Sequence, residues 1–239
     1  MIASIWPAHE GFPSWAAPIG SEEGQSMTKT LGFLGAGRLA QMLAPKAIAG
    51  GWRVILSNSR GPETLADLVS QLGPNASAAT SKDMVLAADI IILAIRWPQI
   101  ADATAGLPWD GKTVIDATNN RLGPKPEDVI VIGDAIASEL VAGYLPGAKL
   151  VKAFNHEPIP VFDKTLPPAG DESVLFLAGA DAEAKKQVAQ LMRDLKATPI
   201  DLGAIDEGGL LIAMGGPLTN KFKLYTPAEA KAETKAALV

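Results

Sequence analysis

The chain contains no cysteine, which excludes disulfides, thiol nucleophiles and cysteine-ligated metal sites. It has only two histidines, His9 and His156. No cluster of side chains has the spacing of a metal site, and no metal is expected. No apolar run approaches the roughly 18 residues needed to cross a bilayer, so no membrane partner is expected. Positive charge is also lacking: 21 Lys and Arg stand against 26 Asp and Glu, for a net charge of −5. That balance argues against a nucleic-acid partner, which would call for a basic face. The N-terminus has neither the basic start nor the continuous apolar stretch of a secretory signal. With cysteine absent as well, the expected compartment is the reducing cytoplasm.

What is present is an ordinary globular composition, 48% hydrophobic and 20% charged over 239 residues, enough for one good core or a larger domain with a small satellite. Residues 1–27 show neither helical nor strand period and are rich in Trp, Pro and Gly, so they are read as a flexible extension. From Thr30 the pattern alternates. Strands are predicted at 31–34, 53–57, 76–79, 89–95, 113–116 and 149–154, with helices at 38–49, 62–71, from Ser81, near 98–105 and near 138–144. A second, smaller run follows Pro160: a strand at 173–178, a helix at 182–196, a strand at 199–202, a helix at 205–214 and a helix-prone tail from Pro227. The run Asp89–Ile95 is almost wholly apolar, as a parallel strand covered on both faces requires. Alternation with short connections predicts an α/β doubly wound parallel sheet. Its expected parts are a dinucleotide-binding domain over 28–157 and a smaller C-terminal α/β piece over 158–239.

In such sheets ligands sit beyond the carboxyl ends of the strands, and the residues there carry a specific chemistry. The first strand runs into Gly35-Ala36-Gly37-Arg38-Leu39-Ala40, a Gly-x-Gly-x-x-Ala turn. Gly35 permits the tight turn, Gly37 lets backbone approach a diphosphate, and Ala40 allows helix to pack closely on strand. Amide N–H groups at the start of the helix then hold the anion. An NAD enzyme places a carboxylate at the end of the second strand for the ribose 2′-hydroxyl. Here no acid occurs from Val54 through Pro62. Ser57, Asn58 and Ser59 offer neutral hydrogen bonds, and Arg60 offers a planar cation suited to a 2′-phosphate. The expected cofactor is therefore NADP(H).

The stretches GFLGAGRLA, LSNSRGPETLADL, DIIILAIRWPQI, VIDATNN, LPGAKLVKAFN and GADAEAKKQVAQLMRDL with the later IDLG resemble the coenzyme F420-dependent NADP oxidoreductases. The resemblance spans Lys29 to about Leu218. The nucleotide-binding part also resembles the reductase portion of membrane ferric reductases. The family likeness implies direct hydride transfer between nicotinamide C4 and an acceptor ring, with coenzyme F420 or a flavin as co-substrate and a homodimer as the assembly. By motif position it places Gly35–Leu39 on the diphosphate and Ser59 and Arg60 on the 2′-phosphate. Ile95, Arg96, Trp97 and Asn119 fall along the ribose–nicotinamide path, and Phe154, Asn155 and His156 beside the reacting ring. Three positions depart from the family pattern: Arg96 and Asn120 where relatives commonly carry proline, and His156 where threonine is usual.

His156 is the candidate catalytic residue, able to donate a proton or hydrogen bond; its alternative is a loop histidine that only packs. Arg96 would pair with a carboxylate or phosphate or else be a surface residue. Trp97 would stack on a ring or fill core, and Asp116 would bind a cation or cap the local turn. Beside hydride transfer to a small-molecule redox acceptor stand two alternatives. One is a small carbonyl or imine reductase, and the other a non-catalytic NADP-sensing module.

Overall fold

The computed structural model describes residues 29–123, 125–166 and 173–237; the expected extension at 1–27 lies outside the described residues. Eight strands form one sheet: β1 (Thr30–Leu34), β2 (Arg53–Ser57), β3 (Ala76–Ala78), β4 (Ile90–Leu93), β5 (Thr113–Asp116), β6 (Lys149–Ala153), β7 (Val174–Gly179) and β8 (Thr198–Asp201). Their spatial order is β3-β2-β1-β4-β5-β6-β7-β8. Every pairing is parallel except β6 with β7. The chain thus winds outward from β1 in one direction to β3, returns through β4, and reverses strand sense once near its end. The expected α/β architecture is present, and the C-terminal strands continue the same sheet.

Eight helices accompany the strands among the described residues: α1 (Arg38–Ala49), α2 (Ala66–Leu72), α3 (Ser81–Ala87), α4 (Ile100–Thr104), α5 (Ala137–Gly143), α6 (Ile159–Thr165), α7 (Ala182–Asp194) and α8 (Pro227–Ala237). The strand period of two sends alternate side chains to opposite layers. Leu31, Phe33, Ile90 and Ile92 join α1, α6 and α7 in one core, and Leu34, Ile91 and Leu93 join α3, α4 and α5 in the other. A third cluster around Phe176, Ile200, Leu218 and Tyr225 closes the β7–β8 end under α8.

Three local readings are corrected. β4 stops at Leu93 rather than Ile95: the Ala94 N–H still donates to the Leu34 carbonyl at 2.9 Å, but Ala94 and Ile95 lie against the turn at Gly35. The helix expected over 205–214 is only a 3₁₀ turn, Gly208–Ile212. Its two leading glycines are poor helix formers, and Gly208 is pressed so closely onto Leu202 that an added Cβ would sit 1.7 Å from its carbonyl oxygen. In the opposite sense, α6 forms where no helix was expected. Pro160 sits in its first turn, a position where proline's missing N–H costs nothing, and Phe162 is fully buried beneath it. Pro45 does fall inside α1 as read.

Gly32 is the point of closest approach between β1 and α3. A Cβ there would meet Met84 Sδ at 2.4 Å and Ala88 Cβ at 2.8 Å. The methionine is flexible, but Ala88, the residue that ends α3, is fixed by the backbone. We expect Gly32→Ala to cost about 1–3 kcal/mol by overpacking, seen as a lower thermal denaturation midpoint; an unchanged midpoint would show that α3 can shift outward freely.

Candidate functional site

A cleft of about 1160 Å³ opens at the carboxyl ends of β1, β2, β4, β5 and β6. It lies where strand order reverses on either side of β1, the expected ligand crevice of a doubly wound sheet. Gly35 turns the chain out of β1 at φ +103°, and its N–H donates to the Ser57 carbonyl at 3.0 Å. A side chain at Gly35 is excluded twice over: by that φ, and by the Ala94 carbonyl oxygen 2.5 Å from where a Cβ would lie. Gly37 is different. A Cβ there would meet only Ala94 O at 3.8 Å, so the protein leaves room in front of it. Helix α1 then begins with no side-chain cap and no acid in its first turn. Its first N–H groups therefore keep their capacity to bind an anion. Ala36, Arg38 and Leu39 complete this wall of the cleft.

The β2 side divides into residues that reach the cleft and residues that do not. Ser57 is buried and spends its hydroxyl on the Phe33 carbonyl at 3.0 Å, which corrects its reading as a ligand group. Asn58 lines the cleft, yet its amide donates to Thr64 Oγ1 at 2.9 Å and its carbonyl accepts the Arg60 N–H at 2.9 Å. Its side chain builds the turn that presents Ser59 and Arg60. Ser59 lines the cleft, with Ser81 of α3 across from it; Arg60 is exposed just beyond. Ser81 went unread because the short strand β3 before it carries no motif.

On the far side of β1, Ile95, Arg96 and Trp97 line the cleft after β4, and Asn119 and Asn155 line it after β5 and β6. These two asparagines brace each other. Asn119 Nδ2 donates to the Asn155 carbonyl at 2.9 Å, and Asn155 Nδ2 donates to Asn119 Oδ1 at 3.2 Å and to Ile212 O at 2.6 Å. Phe154, between β6 and this brace, is buried with φ +58°, a left-handed conformation that costs a non-glycine residue about 1–3 kcal/mol.

The model of the family "NADP oxidoreductase coenzyme F420-dependent" matches residues 30–120. The crystal structure of a hypothetical protein, SMa0349, from Sinorhizobium meliloti shares 36% identity and a TM-score of 0.72, over 81% of this chain and 93% of that one. The chain belongs to this NADP oxidoreductase family. Its architecture is the Rossmann type, and the family is one of NADP oxidoreductases. Human metalloreductase STEAP2 is 28% identical over 184 residues, covering 74% of this chain and 34% of that protein, so the chain spans about a third of the curated relatives it matches. A structure assigned as an F420-dependent NADP-reductase from Arthrobacter sp. FB24 shares the fold at 23% identity and a TM-score of 0.63, over 83% of this chain and 99% of that one.

Beneath the cleft the chain buries an ion pair that the sequence reading missed. Lys152 Nζ lies 3.2 Å from Asp116 Oδ2 and 3.3 Å from the Thr118 carbonyl. Asp116 also accepts from Ser138 Oγ at 2.6 Å, from Thr118 Oγ1 at 2.6 Å and from Thr118 N–H at 2.9 Å. Burial pushes the Asp116 carboxyl up, but the Lys152 charge and the hydroxyl and amide donors outweigh it and hold the carboxyl below its usual range. Asp116 therefore caps the turn into Thr118 and Asn119, as its second reading had it. The lysine was legible only as part of an apolar strand, and nothing in the sequence ties it to β5.

His156 does not line the cleft. The left-handed turn at Phe154 sends it inward, where it is 1% exposed. Phe162 and Phe176 meet its ring edge-on at 5.3 and 5.4 Å, and neither ring nitrogen has a hydrogen-bond partner among the described residues. Burial pushes its pKa down to about 3. Glu157, which follows it, does reach the cleft, and its two oxygens accept the N–H groups of Lys221 and Phe222 at 2.6 and 2.7 Å. Burial raises the Glu157 carboxyl more than those donors and the Lys221 charge lower it. The residue thus clips the segment after β8 to the end of β6.

Two outcomes follow. Lys152→Met leaves Asp116 buried without its partner and is expected to cost about 3–5 kcal/mol in denaturant unfolding, with the Asp116→Asn/Lys152→Met double variant recovering most of it. If the single change is neutral, the pair does not hold the cleft floor. For His156 the folded pKa lies below the unfolded one, so its contribution to stability is fully present above about pH 6.5 and is lost progressively as pH falls toward 3. At pH 5 that loss is about 2 kcal/mol relative to pH 7.5. A His156→Leu variant should show a flatter acid limb in stability against pH, and a slope equal to wild type would mean the imidazole is hydrated.

Proposed function

We propose that this oxidoreductase transfers a hydride between NADPH and a flavin-like or deazaflavin-like acceptor, coenzyme F420 being one member of that class. The observation that carries this reading is the pairing of an uncapped, acid-free α1 N-terminus with a β2 exit that offers Ser59 and Arg60 and no carboxylate. The space left in front of Gly37 fits backbone contact with a diphosphate. When bound, the dinucleotide supplies the hydride from nicotinamide C4.

The chain's own residues bind, orient and exclude water. The first N–H groups of α1 hold the diphosphate, and the Asn58 turn presents Ser59 and the Arg60 guanidinium to the 2′-phosphate. Ile95 and Trp97 wall the central part of the cleft, and the Asn119–Asn155 brace with Phe154 forms its floor at the ends of β5 and β6. The cleft exceeds the roughly 300–1,000 Å³ of a single drug-sized ligand, which favours a dinucleotide with part of a second ring. With His156 turned into the core, the candidate proton donor is absent from the cleft, and hydride transfer between aligned rings requires none.

The reading is tested by following reduced-nicotinamide absorbance with purified protein and a panel of coenzyme F420, flavins and quinones. Oxidation with no member of the panel would refute the acceptor class. Arg60→Ala should weaken NADPH by about 10- to 150-fold, the equivalent of about 1.5–3 kcal/mol for a charge-assisted phosphate contact, and leave NADH little changed. Equal losses for both dinucleotides would refute the NADP assignment.

A further inference from the structure

We propose that Arg96 selects acceptors bearing a phosphate or carboxylate beside the redox ring, a proposal that rests on the hydride-transfer reading above. Arg96 stands at the carboxyl end of β4 and lines the cleft. Its backbone is held in place: Gln99 Oε1 accepts its N–H at 3.2 Å, its carbonyl accepts the Gln99 N–H at 2.9 Å, and Pro98 stiffens the 3₁₀ turn that follows. Its guanidinium, by contrast, has neither an ion-pair nor a hydrogen-bond partner among the described residues. A planar cation with an anchored main chain and an unspent fork matches a phosphate or carboxylate.

The other charges of the cleft are placed differently. Arg121 spends its guanidinium on the carbonyls of Gly123 and Lys125. Arg38 stands in the first turn of α1, beside the diphosphate position. Glu157 is engaged by two backbone N–H groups, and Asp102 lies on α4 away from any cation within ion-pair distance among the described residues.

Strand order decides which anion Arg96 meets. It follows β4, whereas Ser59 and Arg60 follow β2, and β1 lies between them. Two inter-strand spacings separate the sites by about 10 Å. Arg96 therefore serves the half of the cleft toward β5 and β6, where the acceptor enters, rather than the 2′-phosphate end.

Riboflavin and FMN share a ring and differ by one phosphate, as do 5-deazariboflavin and its 5′-phosphate. Binding of each to the NADP⁺-saturated full chain is read by quenching of ring fluorescence, and NADPH oxidation is followed in parallel. The phosphorylated member of a pair should bind at least ten-fold more tightly, with the preference shrinking as salt rises. Arg96→Leu should bring the ratio to within two-fold of unity, Arg96→Lys should keep part of it, and Arg96→Glu should invert it. NADPH affinity should fall less than that of the phosphorylated ring. No preference in wild type, a ratio unchanged in Arg96→Leu, or a loss falling mainly on NADPH would each overturn the proposal. Preference without NADPH oxidation refutes hydride transfer and leaves the anion site standing; binding of neither ring refutes both.

Discussion

The cleft depends on how closely the turn after β1 can approach the end of β4. That approach is possible because Gly35 has no side chain: the Ala94 carbonyl occupies the space a Cβ would need, and φ is positive. The contact has two consequences. It sets Ala94 and Ile95 against the turn after β1, and Arg96 and Trp97, which follow them, line the cleft. It also sets the first turn of α1 over the strand ends with its N–H groups facing the same space. One close backbone contact thus determines both the anion-binding wall and the wall opposite it.

The floor is held by polar interactions that would be costly if incomplete. A buried carboxylate and ammonium lose hydration that their mutual attraction alone rarely repays. Asp116 and Lys152 meet that cost with further donors and acceptors from Ser138 and Thr118. The outcome is a rigid end to β5 from which Asn119 reaches across to Asn155. Phe154, held left-handed, keeps the end of β6 turned so that Asn155 and Glu157 face the cleft while His156 is buried. The strain at Phe154 is offset by burial of its own ring and of the aromatic cage around His156.

The final two strands do more than widen the sheet. Because β7 and β8 run antiparallel to β6, β8 leaves the sheet at the edge opposite the cleft, and the segment after it runs back to the end of β6. Ile212 then accepts from Asn155, and Glu157 clips residues 221 and 222. The C-terminal segment consequently braces the end of β6 from outside the cleft.

Much of this was legible in the sequence. Local signals (the Gly-x-Gly-x-x-Ala turn, the acid-free stretch after β2, the uninterrupted apolar strand at β4) depend on neighbours within a few residues and give the strands, their order of use and the dinucleotide end of the cleft. The bounds of α1 and β2 follow from such signals alone. What tertiary structure decided has contacts far apart in the chain: the Lys152–Asp116 pair, the Asn119–Asn155 brace, the inward turn of His156 and the clip from Glu157 to Phe222. His156 shows the reason most clearly. Its place after a strand end was readable, but one left-handed residue before it chose between the cleft and the core, and only packing against Phe162 and Phe176 supports that choice. By itself the sequence determined an α/β chain with an NADP-type phosphate pattern, since backbone propensity and phosphate chemistry act locally. Which side chains meet an acceptor was decided by the fold, because strand ends become neighbours only when the sheet has formed.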